Sequence, residues 1–307
     1  MKDLIIIGAG PGGLTAAIYG MRAGLDLLVI EKFSPGGQVV NTYEVENYPG
    51  FVDPIPGWEL VSSMENQARR LNAEIISADV IAIQKNTADK SFTVSLADGS
   101  THTSKTVIIA SGASYRNLNV PGEKEYLGRG VSYCATCDGA FYKDRITAVV
   151  GGGDTALEEA LFLTRFSKKV YLIHRREQFR GQKILQDRVL QSEKIEPVYN
   201  SVITSINGEG GVTSFTAKNV STEEESTIPV DGVFIFIGFV PNTQFLDPSL
   251  LNDRGEILVD MQMATSVPGM YAIGDVRADS KRQIVMACAD GATAALNAYE
   301  YLQQLSC

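Results

Sequence analysis

Cys134 and Cys137, followed at once by Asp138, are the residues in this chain whose types and spacing most plainly suggest chemistry. Two cysteines separated by two residues can close a small disulfide ring without dragging the backbone far. The first thiol of such a pair is often acidified, and its thiolate is the species that performs disulfide exchange. A carboxylate beside the second thiol can give or take the proton that exchange requires. The competing chemistry is half of a four-ligand zinc site. Its other half is missing, because Cys288, Cys307, His102 and His174 are scattered singly along the chain. Ligand arithmetic therefore favours redox exchange, and no metal is expected.

A redox disulfide needs an electron carrier, and two stretches are suited to hold one. Residues 3–31 predict a βαβ unit, with buried strands at 4–7 and 27–30 and a helix over 14–22. Between the first strand and the helix lie Gly8, Gly10, Pro11 and Gly13, in the Gly-x-Gly-x-x-Gly spacing that lets backbone approach a pyrophosphate at a helix N-terminus. Glu31 ends the second strand, where an acid can hydrogen-bond a ribose hydroxyl. The same pattern returns 143 residues later as Gly151, Gly153 and Ala156, with Asp154 and Thr155 inside the turn and His174 at the place of Glu31. His174 is followed by Arg175, Arg176 and Arg180. An acid at that place repels a 2′-phosphate, whereas arginines bind one through charge-assisted contacts. The first site thus suits FAD or NAD, and the second suits NADPH.

The elements that must position these groups make an α/β protein with two Rossmann-like, three-layer domains. The 307 residues are 44% hydrophobic and 21% charged, as expected of globular domains. A net charge of −9 argues against nucleic acid or an anionic membrane as partner. No apolar run is long enough for a membrane span, and the short one at 4–7 breaks at the glycines, so no targeting segment is expected. Strands are expected over 74–84 and 91–110, with a hairpin turn at 97–99, and again over 215–220 and 226–238, the last ending in a buried strand at 233–237. A strand pair is expected at 257–259 with 270–273, followed by a helix from about 285 to 305. Linkers are expected at 113–122 and 239–242. His102 reads as a solvent-facing strand residue, Cys288 as a small core residue and Cys307 as an incidental thiol.

Taken together, GAGPGG, GGQ, VENYPG, CATCDG, GGGDTA, HRRxxxR and GD…RQIV occur here in the order found in low-molecular-weight thioredoxin reductases, and the chain resembles that family along its whole length. The resemblance implies an FAD-binding domain at 1–112 and 242–307, with an NADPH-binding domain inserted at 113–241. It implies FAD contacts from Glu31, Lys32, Gly37, Gln38, Asn47, Val80, Gly112, Gly274, Asp275, Arg282, Gln283 and Ile284. NADPH contacts would come from the 151–156 loop, His174, Arg175, Arg176 and Arg180. By the same resemblance Cys137 faces the flavin, Cys134 attacks the substrate disulfide, and Asp138 handles the proton. The expected activity is NADPH-dependent reduction of thioredoxin, or of a thioredoxin-like protein, by a cytoplasmic homodimer. Three other readings stay open: an NADPH-dependent reductase of ferredoxin or flavodoxin, the flavoprotein partner of a peroxiredoxin, and an FAD-bound redox sensor without turnover.

Overall fold

Leu4, Ile5, Ile6 and Ile7 are each at most 5% exposed, and the pleat of a strand sends them alternately to opposite faces of a sheet. Both faces are therefore covered. A computed structural model shows by what, over residues 1–42, 45 and 47–305, with the side chains of Asn41, Thr136 and Cys137 outside the described set. One compact unit comprises Met1–Ser114 together with the segment from Val240 onward, and a second comprises Tyr115–Phe239.

In chain order the first unit contains β1 (Lys2–Ile7), α1 (Pro11–Arg22), β2 (Leu27–Glu31), α2 (Gly57–Arg70), β3 (Glu74–Ser77), β4 (Val80–Lys85), β5 (Phe92–Leu96) and β6 (Thr101–Ile109). A crossing strand, β7 (Ala113–Tyr115), leads to β8 (Val131–Ser132), α3 (Ala135–Asp138), β9 (Ile146–Gly151), α4 (Asp154–Leu163), β10 (Lys169–Ile173), α5 (Lys183–Gln191), β11 (Ile195–Val198), β12 (Ser201–Gly208), β13 (Val212–Asn219), β14 (Glu225–Pro229) and β15 (Gly232–Phe236). The chain returns through β16 (Phe239–Pro241) and ends with β17 (Met270–Ala272) and α6 (Ile284–Leu305).

The first sheet runs β3-β2-β1-β6-β5-β4. Leu4 and Ile6 pack under α1, α2 and α6, while Ile5 and Ile7 pack with Phe92, Val94 and Ile257 on the other face. Helices α1 and α6 approach closely because their contact is made of glycine and alanine. A Cβ on Gly291 would stand 2.2 Å from the Gly12 carbonyl oxygen. The second unit repeats the plan with β11-β10-β9-β15-β8. Val149 and Leu172 face α4 and α5, and Ala148 and Val150 face Ile203, Ile206 and Phe215 of the β12-β13-β14 sheet.

Two expectations need correction. The segments at 257–259 and 270–273 do not pair. Instead Met270–Ala272 lies parallel to Val107–Ile109 of β6, while Ile257 makes single bridges to Leu251 and Arg277. The cause is a vacant edge: β5 covers β6 only over Thr101–Ser104, so the buried half beyond needs another partner for its backbone groups. The expected linkers are also more ordered than loops, since β7 and β16 pair as a two-stranded ribbon. Arg116 N–H donates to Gly238 O at 2.9 Å and Asn242 N–H to Gly112 O at 3.0 Å.

Candidate active site

The first glycine turn is built as tightly as its sequence demands. Gly8 has φ +102°, and a Cβ there would lie 2.3 Å from the Ala110 oxygen at the end of β6. A Cβ on Gly13 would stand 1.9 Å from the Gly8 oxygen, so only glycine lets α1 start this close to β1. Gly10 caps α1 without any side-chain hydrogen bond, and Pro11 follows at the first helical position. No acid lies in the first turn, so its N–H groups are available to an anion.

Around this turn the first unit gathers most of the residues expected for FAD. Gly36 N–H donates to Ala9 O at 2.8 Å, and a Cβ on Gly37 would come 3.2 Å from the Gly10 Cα. Gln38 Nε2 donates to Ala113 O at 3.3 Å. Asn47 and Gln283, far apart in the chain, meet through an Nδ2–H to Oε1 hydrogen bond of 3.0 Å. The Glu31 carboxylate accepts from Ala9 N–H at 2.7 Å and Phe33 N–H at 3.1 Å; each oxygen keeps a second lone pair for a ribose. Lys32 points elsewhere, into an exposed ion pair with Asp79 at 2.8 Å. Val80 is buried at the start of β4, and Gly112 turns the chain after β6 with φ +64°. Arg282, with φ +53°, is exposed two residues before Ile284 opens α6, and its guanidinium lies 3.6 Å from Glu256.

Gly274 and Asp275 occupy a short 3-10 turn after β17, held by a residue outside every motif named above. The buried Asp290 carboxylate accepts from Gly274 N–H at 3.0 Å and from the Arg277 guanidinium at 2.7 and 3.0 Å. Its signal was present, since Asp290 is the one charged residue between Ile284 and Tyr299. Burial raises the Asp275 carboxyl above its ordinary pKa, against the pull of Arg282.

The second glycine turn, within the inserted unit, differs in one informative respect. A Cβ on Gly151 would again stand 2.3 Å from a strand-end oxygen, that of Phe236. A Cβ on Gly152 would overlap the His174 ring, 2.3 Å from Nδ1. His174 is buried, its Nε2 has no hydrogen-bond partner, and burial followed by Arg180 lowers its pKa. Gly153 caps α4 with no side-chain bond and open space before it. Asp154 is turned aside to accept from Gln182 N–H at 2.6 Å; Thr155 and Ala156 continue the helix. Arg175, Arg176 and Arg180 are exposed, and Arg180 N–H donates to Gly152 O at 2.6 Å. Arg176 lines an open depression of about 580 Å³ with Glu177, Gln178, Asn200 and Ser221. An uncapped helix start, an imidazole nitrogen without a partner and three exposed guanidiniums fit a phosphorylated dinucleotide.

Cys134 enters the single turn α3, and Cys137 and Asp138 end it. Cys134 N–H donates to the buried Ser132 Oγ at 3.0 Å, and Asp138 N–H donates to Cys134 O at 3.2 Å. Asp138 thus lies one turn from Cys134. The Cys137 side chain and Cys307 lie outside the described residues. Cys288 is buried and His102 is half-buried in β6. Among the described residues no group of three or more His, Cys, Asp or Glu could hold a metal ion.

Residues 2–291 match the pyridine nucleotide-disulphide oxidoreductase family. The chain is 50% identical to a thioredoxin reductase of Listeria monocytogenes, over 99% of this chain and 94% of that one. It is 46% identical to a thioredoxin reductase of Bacillus subtilis, over 99% and 95%. The crystal structure of Lactococcus lactis thioredoxin reductase superposes with a TM-score of 0.94 at 42% identity, covering 99% of this chain and 100% of that chain. The two glycine turns, the Cys-x-x-Cys turn and these likenesses agree: the chain belongs to the pyridine nucleotide-disulphide oxidoreductases and, among them, to the low-molecular-weight thioredoxin reductases.

Proposed function

We propose that this enzyme reduces the disulfide of thioredoxin, or of a thioredoxin-like protein, through Cys134 and Cys137. In this reading residues 1–112 and 242–307 hold FAD, and residues 113–241 hold NADPH. When bound, the two cofactors supply the hydride and the two-electron carrier that reduction of a disulfide needs. The chain's own residues do the rest. The N–H groups of α1 and α4 bind pyrophosphates, and Glu31 binds a ribose. Arg175, Arg176 and Arg180 bind the 2′-phosphate beside the neutral His174. The Cys134 thiolate attacks one sulfur of the substrate disulfide and releases the other as a thiolate, which Asp138 protonates. Cys137 then gives up its thiol proton and attacks the Cys134 sulfur, breaking the mixed disulfide and restoring the internal one; the second substrate thiolate takes up that proton and the substrate leaves as a dithiol.

The observation that supports this reading is the Cys134–Asp138 turn, in which Asp138 N–H donates to Cys134 O and Cys134 N–H donates to Ser132 Oγ. The reading includes a cytoplasmic homodimer, on the family likeness alone. No helix among the described residues is long and apolar enough to cross a membrane. The test is steady-state oxidation of NADPH with thioredoxin and with a small disulfide dye. Catalytic turnover with both, lost in Cys134→Ser and Cys137→Ser, supports the proposal. Consumption that stops after one equivalent would mark a sensor.

A further inference from the structure

One buried acid has no part in this scheme. Glu159 lies on α4, the helix that packs against α3. The backbone N–H of Ala135, between Cys134 and Thr136, stabilises its charged form, yet its Oε2 is buried with no hydrogen-bond partner. Cys134 is thus joined at its backbone to Ser132 on one side and, through Ala135, to a carboxyl on the other. We propose that Glu159 is a positioning residue for the redox turn, and that its charge sets how readily the Cys134 thiol gives up its proton.

The chemistry follows from charge. Reducing the disulfide to a dithiol takes two electrons, which the established activity supplies, and two protons. Each thiolate formed along the way is a negative charge on a turn touching α4. A neutral carboxyl tolerates that charge, whereas a carboxylate opposes it and raises the thiol pKa. Burial, with Glu158 assisting, lifts the Glu159 carboxyl to about 7, against the Ala135 N–H, so both forms are within reach near neutrality. The groups around it do not neutralise it. Glu158 shares its helix, Tyr115 on β7 is pushed up to about 12 by burial and by Glu159 itself, and Asp138 closes α3. On α5, Lys183 is paired with Asp187 at 2.6 Å and exposed.

This inference rests on the redox role of Cys134 proposed above, and the test separates the two. Enzyme reduced with dithiothreitol and freed of it is alkylated with iodoacetamide from pH 5.5 to 9, and Cys134 modification is followed by peptide mass. Wild type is expected to show an inflection near 7 in addition to the thiol titration. Glu159→Gln, which keeps an acceptor for Ala135 N–H and loses the charge, is expected to lack it. At pH 8 the variant should react about two- to threefold faster, the gain in thiolate from half to one unit on a thiol near the ordinary 8.5. Glu159→Asp should keep an inflection at a displaced pH, which a merely structural role would not produce. Superimposable profiles for wild type and Glu159→Gln would overturn the inference, as would a wild-type curve without the inflection. Failure of wild type to turn over thioredoxin would instead sink the reading beneath it.

Discussion

Arg180→Ala should make this enzyme a poor user of NADPH while sparing its use of NADH. Arg180 is exposed, and none of Arg175, Arg176 and Arg180 forms an ion pair with a described residue, so each guanidinium is available to a ligand. The Arg180 backbone is fixed, because its N–H is bonded to Gly152 O of the glycine turn at 2.6 Å. A charge-assisted hydrogen bond contributes about 1.5–3 kcal/mol, or roughly 10- to 150-fold in affinity. Exposure and salt screening favour the lower end. The expected loss is about tenfold in kcat/KM for NADPH, carried by KM, with the NADH value within about twofold of wild type. Steady-state rates with thioredoxin at fixed ionic strength supply the numbers. Raising the ionic strength should narrow the wild-type preference more than that of the variant. Equal losses with both cofactors would mean that Arg180 supports the loop and does not read the 2′-phosphate.

Three other outcomes are expected. Asp290→Asn leaves Arg277 buried without its charge partner, which should cost about 3–5 kcal/mol in urea unfolding and release FAD more readily; a loss under about 1 kcal/mol would refute the bracing role of Asp290. Gly13→Ala must place a methyl 1.9 Å from the Gly8 oxygen and should abolish FAD retention, while Ala156→Gly at the equivalent position should cost only about 1 kcal/mol, both read by flavin absorbance and melting. The depressed His174 pKa means that the unfolded chain binds a proton the folded one refuses, so its share of stability is present above about 6.5 and lost as pH falls below it. Melting temperature should therefore drop on going from pH 7 to 5.5, and less steeply in His174→Gln.

Motifs that depend on local backbone were legible from the residues alone. Gly8, Gly13 and Gly151 are forced by contacts within a few residues of a strand end, so the spacing of glycines is itself a steric record. What stayed hidden depends on partners distant in sequence. The strand at Met270–Ala272 was legible, but its partner was not: it pairs with β6 because β5 leaves half of that strand uncovered, a fact of topology that no window around residue 270 contains. Asp290 and Glu159 were missed for the same reason. Each is an acid inside a helix, and its meaning comes from Gly274 and Arg277 in one case and from Ala135 in the other.

The two glycine turns share one local design and differ in the residue that faces it. Their register is identical: Leu4 pairs with Leu27 as Thr147 pairs with Val170, and Ile7 with Ile30 as Val150 with Ile173, all at the offset of 143. Gly8 and Gly151 meet the same obstacle at the same 2.3 Å, so glycine at these positions follows from the fold. The divergence begins one residue later. Ala9 stands where Gly152 stands in the second copy, and each faces the residue at the end of the neighbouring strand. Glu31 reaches the Ala9 N–H from the side and leaves room for the methyl group, whereas the His174 ring occupies the space a methyl on Gly152 would need. An imidazole at the strand end is therefore compatible only with glycine in the turn, whereas an acid there tolerates alanine. Gly152→Ala should displace His174 and weaken NADPH binding as strongly as loss of an arginine does. The reverse change in the first copy, Ala9→Gly, meets no such obstacle and should leave FAD binding within a few tenths of a kcal/mol of wild type, apart from the chain-entropy cost of about 0.5–1 kcal/mol in folding.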